Sequence, residues 1–289
     1  MTRMLYYPGC SLRNSYPEFE KSALETCTRL GIDLAEIPEW NCCGVNFSLS
    51  DNIMRHLGAV RTLISAQEMP DLSGDEKVVA LCSMCYNVMK RVNLTLKEDA
   101  EALENVNLFI DDEVDYRANL EVIHFLQLLR DDIGFDHLSD CVTVPLKGLK
   151  IAPYYGCALI RPESIAIDAP ENPSIMEEFI RSVGADPVDY PYKTECCGNY
   201  HTVMRKEIVE LRSKVIVDSA KLAGADLVVS TCPLCTYNLR LGVRALEEKT
   251  PILFFSQILA LSLGVNPHLS PEREKNVREL LEGMKSYAK

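Results

Sequence analysis

Ten of the twelve cysteines fall into two sets with the same internal order. The first is Cys10, Cys42, Cys43, Cys82 and Cys85, with 31 and then 38 residues between its landmarks. The second is Cys157, Cys196, Cys197, Cys232 and Cys235, with 38 and 34. Each runs Cys, Cys-Cys-Gly, Cys-x-x-Cys, the glycines being Gly44 and Gly198. A Cys-x-x-Cys that opens a helix lets two thiolates converge on one metal centre, and the helix N-terminus favours their charge. Metal binding then completes their deprotonation. Adjacent cysteines point apart, so a Cys-Cys pair that ligates with both sulfurs calls for a centre of several metals. Glycine after the pair lets the backbone turn sharply and come close to a bulky centre.

Two other chemistries use the same residues. Structural zinc takes four ligands, whereas each set offers five. A thioredoxin-like dithiol is suggested by Cys232-Pro233-Leu234-Cys235 but needs neither a Cys-Cys-Gly partner nor a remote fifth cysteine. Met1 to Cys10 has no apolar core of signal-peptide length, so a cytoplasmic location is expected, where structural disulfides are rare. Cys27 and Cys141 lie outside the repeated pattern. Cys27 reads as a small buried hydrophobe on a helix face.

The formal charge of -12, with no basic stripe, argues against sequence-independent binding of nucleic acid. The most apolar tract, Pro251 to Val265, is too short to span a membrane and reads as a buried strand and helix. Apolar residues at 47% and charged residues at 25% describe an ordinary globular chain.

The elements that must position the thiols are themselves repeated. Leu5 to Cys10 matches Ala152 to Cys157, and Asn41 to Gly44 matches Glu195 to Gly198. Val78 to Asn87 matches Val228 to Asn238, and Val122 to Leu129 matches Ile252 to Leu259. Four pairs in the same order indicate an internal duplication. The boundary is expected near Pro145 to Lys150, giving modules of residues 1–146 and 147–289. Short β-branched runs alternate with helical stretches, among them faces formed by Phe19, Ala23, Cys27 and Leu30 and by Ile208, Leu211, Val215, Ser219 and Leu222. The expected fold is α/β: two duplicated modules related by an approximate twofold, each a mainly parallel sheet covered by helices. Cys10, Cys82, Cys157 and Cys232 each follow a β-prone run, so the thiols should gather beyond the carboxyl edges of the sheets.

This doubled pattern resembles the cysteine-rich CCG domain family, over nearly the full chain. The family includes the subunit designated B of CoB-CoM heterodisulfide reductases and cluster-binding parts of glycolate, lactate and succinate oxidoreductases. The unfused two-module chain is most similar to the heterodisulfide reductase subunit. The resemblance implies two noncubane [4Fe-4S] clusters, each held by one five-cysteine set, with a disulfide reduced between them. Each cluster would give one electron and bind one sulfur, so no dithiol nucleophile is required. It also implies a ferredoxin-like iron-sulfur subunit and a flavin-containing subunit as partners. The chain has no dinucleotide or P-loop motif of its own. The 38-residue gap in the first module exceeds the family's usual mid-thirties, which implies an extra turn before Val78. After the two turns stand Val45-Asn46-Phe47-Ser48 and Asn199-Tyr200-His201-Thr202, in place of the proline- and glycine-rich runs of methanogen members. The substrate is therefore left as a small-molecule or protein disulfide. Gly44, Val45, Gly198 and Asn199 are expected to line its site, with His201 as proton donor and Tyr200 and Lys193 as weaker candidates. The alternative reading is an electron-transfer subunit of a hydroxyacid or related dehydrogenase.

Overall fold

Each β-branched run of the sequence becomes a short strand, and each stretch of helical periodicity covers it. The computed structural model describes residues 2–45, 52–69, 77–110, 114–246 and 250–287. The first module runs β1 (Thr2–Tyr7), α1 (Cys10–Asn14), α2 (Pro17–Leu30), β2 (Ile32–Glu36), α3 (Leu57–Gln67), β3 (Lys77–Ala80), α4 (Ser83–Glu98), α5 (Ala100–Phe109), β4 (Glu121–His124), α6 (Phe125–Gln127) and α7 (Phe135–Cys141). A π-helical turn, Leu128–Ile133, joins the last two. The second runs β5 (Lys150–Tyr154), α8 (Ile175–Ser182), β6 (Asp186–Pro187), α9 (Lys206–Leu222), β7 (Leu227–Ser230), α10 (Pro233–Ala245), β8 (Ile252–Phe254), α11 (Phe255–Leu263) and α12 (Pro271–Tyr287). Residues Asn46 to Ser48, and the extra turn expected before Val78, lie outside the described residues.

The first sheet has the order β2-β1-β3-β4 and the second β6-β5-β7-β8, with every pairing parallel. Parallel strands need helical crossovers, which is why both faces are covered and the strands read as nearly unbroken apolar runs. The duplicated α/β architecture is thus the one the sequence pattern implies. The tract from Pro251 to Val265 forms β8 and α11, both buried.

The modules share one continuous core rather than holding two. Their helices pack reciprocally: α2 lies on α11, while its counterpart α8 lies on α6 and α7. Phe19 stacks on Phe254 with ring centroids 4.1 Å apart, and Phe125 meets its own equivalent, Phe255, at 5.7 Å. Ser22 and Ser256 hydrogen-bond across the same boundary at 2.6 Å. Equivalent residues meeting in this way are what an approximate twofold requires.

One helix face differs from expectation. Along α9 the apolar stripe faces outward, with Leu211 64%, Val215 39% and Leu222 81% exposed. The buried side is Val209, Ser213, Ile216, Val217 and Ala220. α9 crosses α10 so closely that a Cβ on Gly242 would lie 2.5 Å from the Ser213 carbonyl carbon. Small residues permit that approach, so they take the inner face.

Candidate functional site

The first thiol of each set sits just beyond the carboxyl end of a central strand. There the chain turns through a glycine with positive φ, Gly9 at +74° and Gly156 at +63°. A Cβ on Gly9 would stand 3.1 Å from the Cys85 sulfur, and one on Gly156 would stand 3.5 Å from that of Cys235. The Gly-Cys glycines thus bring the backbone close to sulfur. Gly44 and Gly198 do have positive φ, +75° and +84°, but a Cβ on Gly198 would meet only Arg212 and Val209, at ordinary distances.

A tyrosine three residues before that first cysteine clamps each Cys-Cys turn. Tyr7 donates its hydroxyl to the carbonyl of Asn41 at 2.8 Å, and Tyr154 donates to that of Glu195 at 2.7 Å. The repeat of Tyr7 and Tyr154 in the sequence is the signal that could have found them. Cys82 and Cys232 occupy the N-cap positions of α4 and α10, with Cys85 and Cys235 in the first turns. All four thiols thus lie where backbone N–H groups and the helix dipole favour negative charge.

All twelve cysteines are free. In the first set the Cys10 and Cys42 sulfurs lie 3.5 Å apart, and Cys43, Cys85 and Cys82 follow as successive neighbours whose thiols perturb one another's ionisation. In the second the Cys197 and Cys235 sulfurs lie 3.5 Å apart, within the succession Cys157, Cys196, Cys197, Cys235 and Cys232. Cys82 neighbours Cys232, so the two strings join end to end. The order is palindromic about that junction. Both junction residues are buried, whereas Cys42 is exposed and Cys10, Cys157 and Cys196 are half-buried. The thiol of Cys42 is held well below its usual range, first by the neighbouring Cys10 and Cys43 thiols and then by the Gly44 N–H. Cys196 is lowered likewise by Cys157 and Cys197, with the Gly198 and Asn199 N–H groups adding to the effect. Among the described residues no three His, Cys, Asp or Glu side chains close on a single metal-ion position.

The twofold is broken beside the junction. The Ser83 N–H donates to the Thr231 carbonyl at 3.2 Å, but Pro233, which stands where Ser83 does, has no N–H to return the bond. His124 serves the Leu81 carbonyl instead, with Nε2 2.9 Å away, while its Nδ1 accepts from the Leu126 N–H. Those partners fix the neutral Nε2–H tautomer. A second asymmetry concerns asparagines. Aligned on the Cys-x-x-Cys pairs, Asn238 corresponds to Val88 and Asn87 to Tyr237, so the apparent match of Asn87 with Asn238 is not structural. Asn87 donates across the module boundary to the carbonyls of Ala158 and Arg161, both at 2.7 Å. Asn238 donates instead to the Cys197 sulfur at 3.3 Å.

His201 is exposed on the short 3-10 turn Asn199–His201 directly after the second Cys-Cys-Gly, its N–H bonded to the Gly198 carbonyl. Gly44, Val45 and Asn199 are half-buried, Gly198 is buried, and Tyr200 is exposed. The Lys193 ammonium is engaged structurally, 2.7 Å from Glu177 and 3.0 Å from Asp189. Cys27 is buried in α2, and burial pushes its thiol up. Cys141 lies 3.8 Å from His137 one helical turn away, apart from both sets.

The cysteine-rich domain CCG matches this chain twice, over residues 4–90 and 151–240. The subunit designated B of the ferredoxin:CoB-CoM heterodisulfide reductase of Methanosarcina mazei is 30% identical over 281 residues, covering 92% of this chain and 91% of that protein. The 8-methylmenaquinol:fumarate reductase membrane anchor subunit of Wolinella succinogenes is 30% identical over 270 residues, covering 90% and 92%. The crystal structure of a hypothetical protein from Helicobacter pylori shares the fold, with a TM-score of 0.70 at 13% identity; the match covers 92% of this chain and 49% of that one. With the family's domain present in both halves and relatives aligned over nearly its whole length, this chain belongs to the cysteine-rich CCG domain family.

Proposed function

We propose that this chain is the iron-sulfur subunit of a heterodisulfide reductase-like complex, in which a disulfide takes up two electrons and two protons to give two thiols. The observation that supports this reading is the palindromic string of ten thiols, five from each module, with its two halves adjacent at Cys82 and Cys232, beside the Ser83–Thr231 backbone bond. Cys10, Cys42, Cys43, Cys82 and Cys85 would hold one [4Fe-4S] centre and Cys157, Cys196, Cys197, Cys232 and Cys235 a second. Five thiolates with an adjacent Cys-Cys pair suit a noncubane form. Such centres supply electrons one at a time, which lets the two halves of a disulfide be reduced in separate steps. The chain's own residues exclude water around the buried sulfurs. Gly44, Val45, Gly198 and Asn199 line the approach, and His201 delivers a proton to a departing thiolate.

Electrons arrive from partners, a ferredoxin-like subunit with a flavin-containing subunit upstream, and the assembly is cytoplasmic. Among the described residues no helix is long and apolar enough to cross a membrane. Anaerobic reconstitution should give about eight iron and eight sulfide per chain, two [4Fe-4S] centres' worth. The loaded chain should then reduce a disulfide with an artificial one-electron reductant, more slowly in a His201→Ala variant whose cluster EPR is unchanged. One zinc and no sulfide would remove the reading.

The similarity to the Wolinella protein favours a second reading, an electron-transfer subunit of a reductase or dehydrogenase that itself turns over no disulfide. Iron-loaded protein with no disulfide turnover would select it.

A further inference from the structure

Asn238 and Val88 occupy the same helical position in the two modules, three residues after the second cysteine of each Cys-x-x-Cys. Both are buried, on α10 and α4, yet only one carries a donor. The Asn238 amide lies 3.3 Å from the sulfur of Cys197, the second residue of its Cys-Cys pair. Its Oδ1 lies 3.1 Å from the Thr202 hydroxyl, which also reaches the Asn199 carbonyl at 2.7 Å. A thiolate can only accept, so the amide turns its N–H toward the sulfur, and Oδ1 then faces the Thr202 hydroxyl, whose single proton it shares with the Asn199 carbonyl. Val88 offers Cys43 no such bond.

A hydrogen bond to a ligand sulfur grows stronger as the centre gains negative charge, so it stabilises the reduced state and raises the reduction potential. We propose that Asn238 is a tuning residue: its bond to Cys197 raises the potential of the second-set centre, and the absence of a counterpart at Val88 makes the two centres inequivalent. This inference rests on the iron-sulfur reading above. It gives the electrons delivered to the chain two different acceptors from an almost symmetric pair of modules.

The test is a potentiometric titration of the anaerobically reconstituted full chain, followed by EPR. Asn238→Leu should lower one midpoint and leave the other in place. The expected size is on the order of a tenfold fall in the reduced-to-oxidised ratio at fixed potential, which is ~59 mV for a one-electron couple. Val88→Asn should raise the other midpoint. If Asn238→Leu assembles both centres and shifts neither, or both equally, the assignment of Asn238 fails. If it does not assemble, Val88→Asn decides: a rise in one midpoint upholds the proposal and two unchanged midpoints overturn it. Wild-type chain lacking iron, sulfide and EPR signal would overturn the iron-sulfur reading itself and this proposal with it.

Discussion

The Ser83 N–H donates to the Thr231 carbonyl, 3.2 Å away in the other module, and this bond lies one residue from where Cys82 and Cys232 meet. The Ser83 hydroxyl hydrogen-bonds the Thr231 hydroxyl as well. Proline is well tolerated at the start of a helix, where the first N–H groups lack intrahelical partners. Pro233 therefore costs α10 little, but it removes the reciprocal bond, and His124 has to satisfy the Leu81 carbonyl. The junction of the thiol string thus depends on a histidine and a backbone amide that both belong to the first module.

Replacing His124 by phenylalanine, the residue its equivalent position holds in Phe254, should leave the buried Leu81 carbonyl without a partner. An orphaned buried acceptor costs about 1–3 kcal/mol, and the loss of the His124 cap on α6 adds to it. Denaturant unfolding of the apo chain would register this as a lower midpoint at unchanged slope. A midpoint equal to wild type would show that the Leu81 carbonyl is satisfied some other way.

The same residue gives the apo chain a pH dependence. Burial pushes the His124 imidazole down to about 3, against an ordinary ~6.5. Between those values the unfolded chain binds a proton that the folded chain refuses, so stability falls as the pH is lowered through that window. The contribution is fully present above ~6.5 and is lost by about 3. A His124→Asn variant has nothing to titrate there. Its stability relative to wild type should improve steadily from pH 6.5 downward, and a constant difference would count against the assignment.

Gly9 and Gly31 both have positive φ, +74° and +73°, but they differ in what alanine would meet. Gly31 is left-handed helical, where alanine costs about 1–2 kcal/mol, whereas Gly9, with ψ 158°, lies in a region that is essentially glycine-only, so the backbone strain there is the larger. Only at Gly9 would the new Cβ press on the Cys85 sulfur, at 3.1 Å, whereas nothing lies within 4 Å of the one at Gly31. Gly9→Ala should therefore lose iron from one centre, while Gly31→Ala lowers stability with iron content unchanged. Equal iron in the two variants would show that the glycine beside Cys10 is not shaped for the centre.

Cys27 provides the control for the ligand sets. It is buried in α2 and has no counterpart in the second module, so Cys27→Ala should keep full iron and sulfide at a small cost in stability. Cys43→Ala and Cys197→Ala should each deplete or distort one centre, as read by iron analysis and EPR. Similar iron loss in all three variants would erase the division between ligands and bystander.

The order of types along the chain was enough to imply the duplication, the two parallel sheets and the gathering of Cys10, Cys82, Cys157 and Cys232 at their carboxyl edges. Those features follow from local pattern: β-branched runs make strands, and a strand delivers whatever residue comes next to one edge. Local pattern says nothing about which outer surface of one module meets the other. Hence only the tertiary structure decided that the sets join through Cys82 and Cys232, that His124 stands in for a bond Pro233 cannot make, and that Asn238 rather than Asn87 faces a sulfur. Periodicity likewise marked an apolar stripe on α9 but could not say which side of the helix is inner. The close crossing at Gly242 gave that side to Ser213 and its small neighbours, and left Leu211 and Leu222 facing solvent.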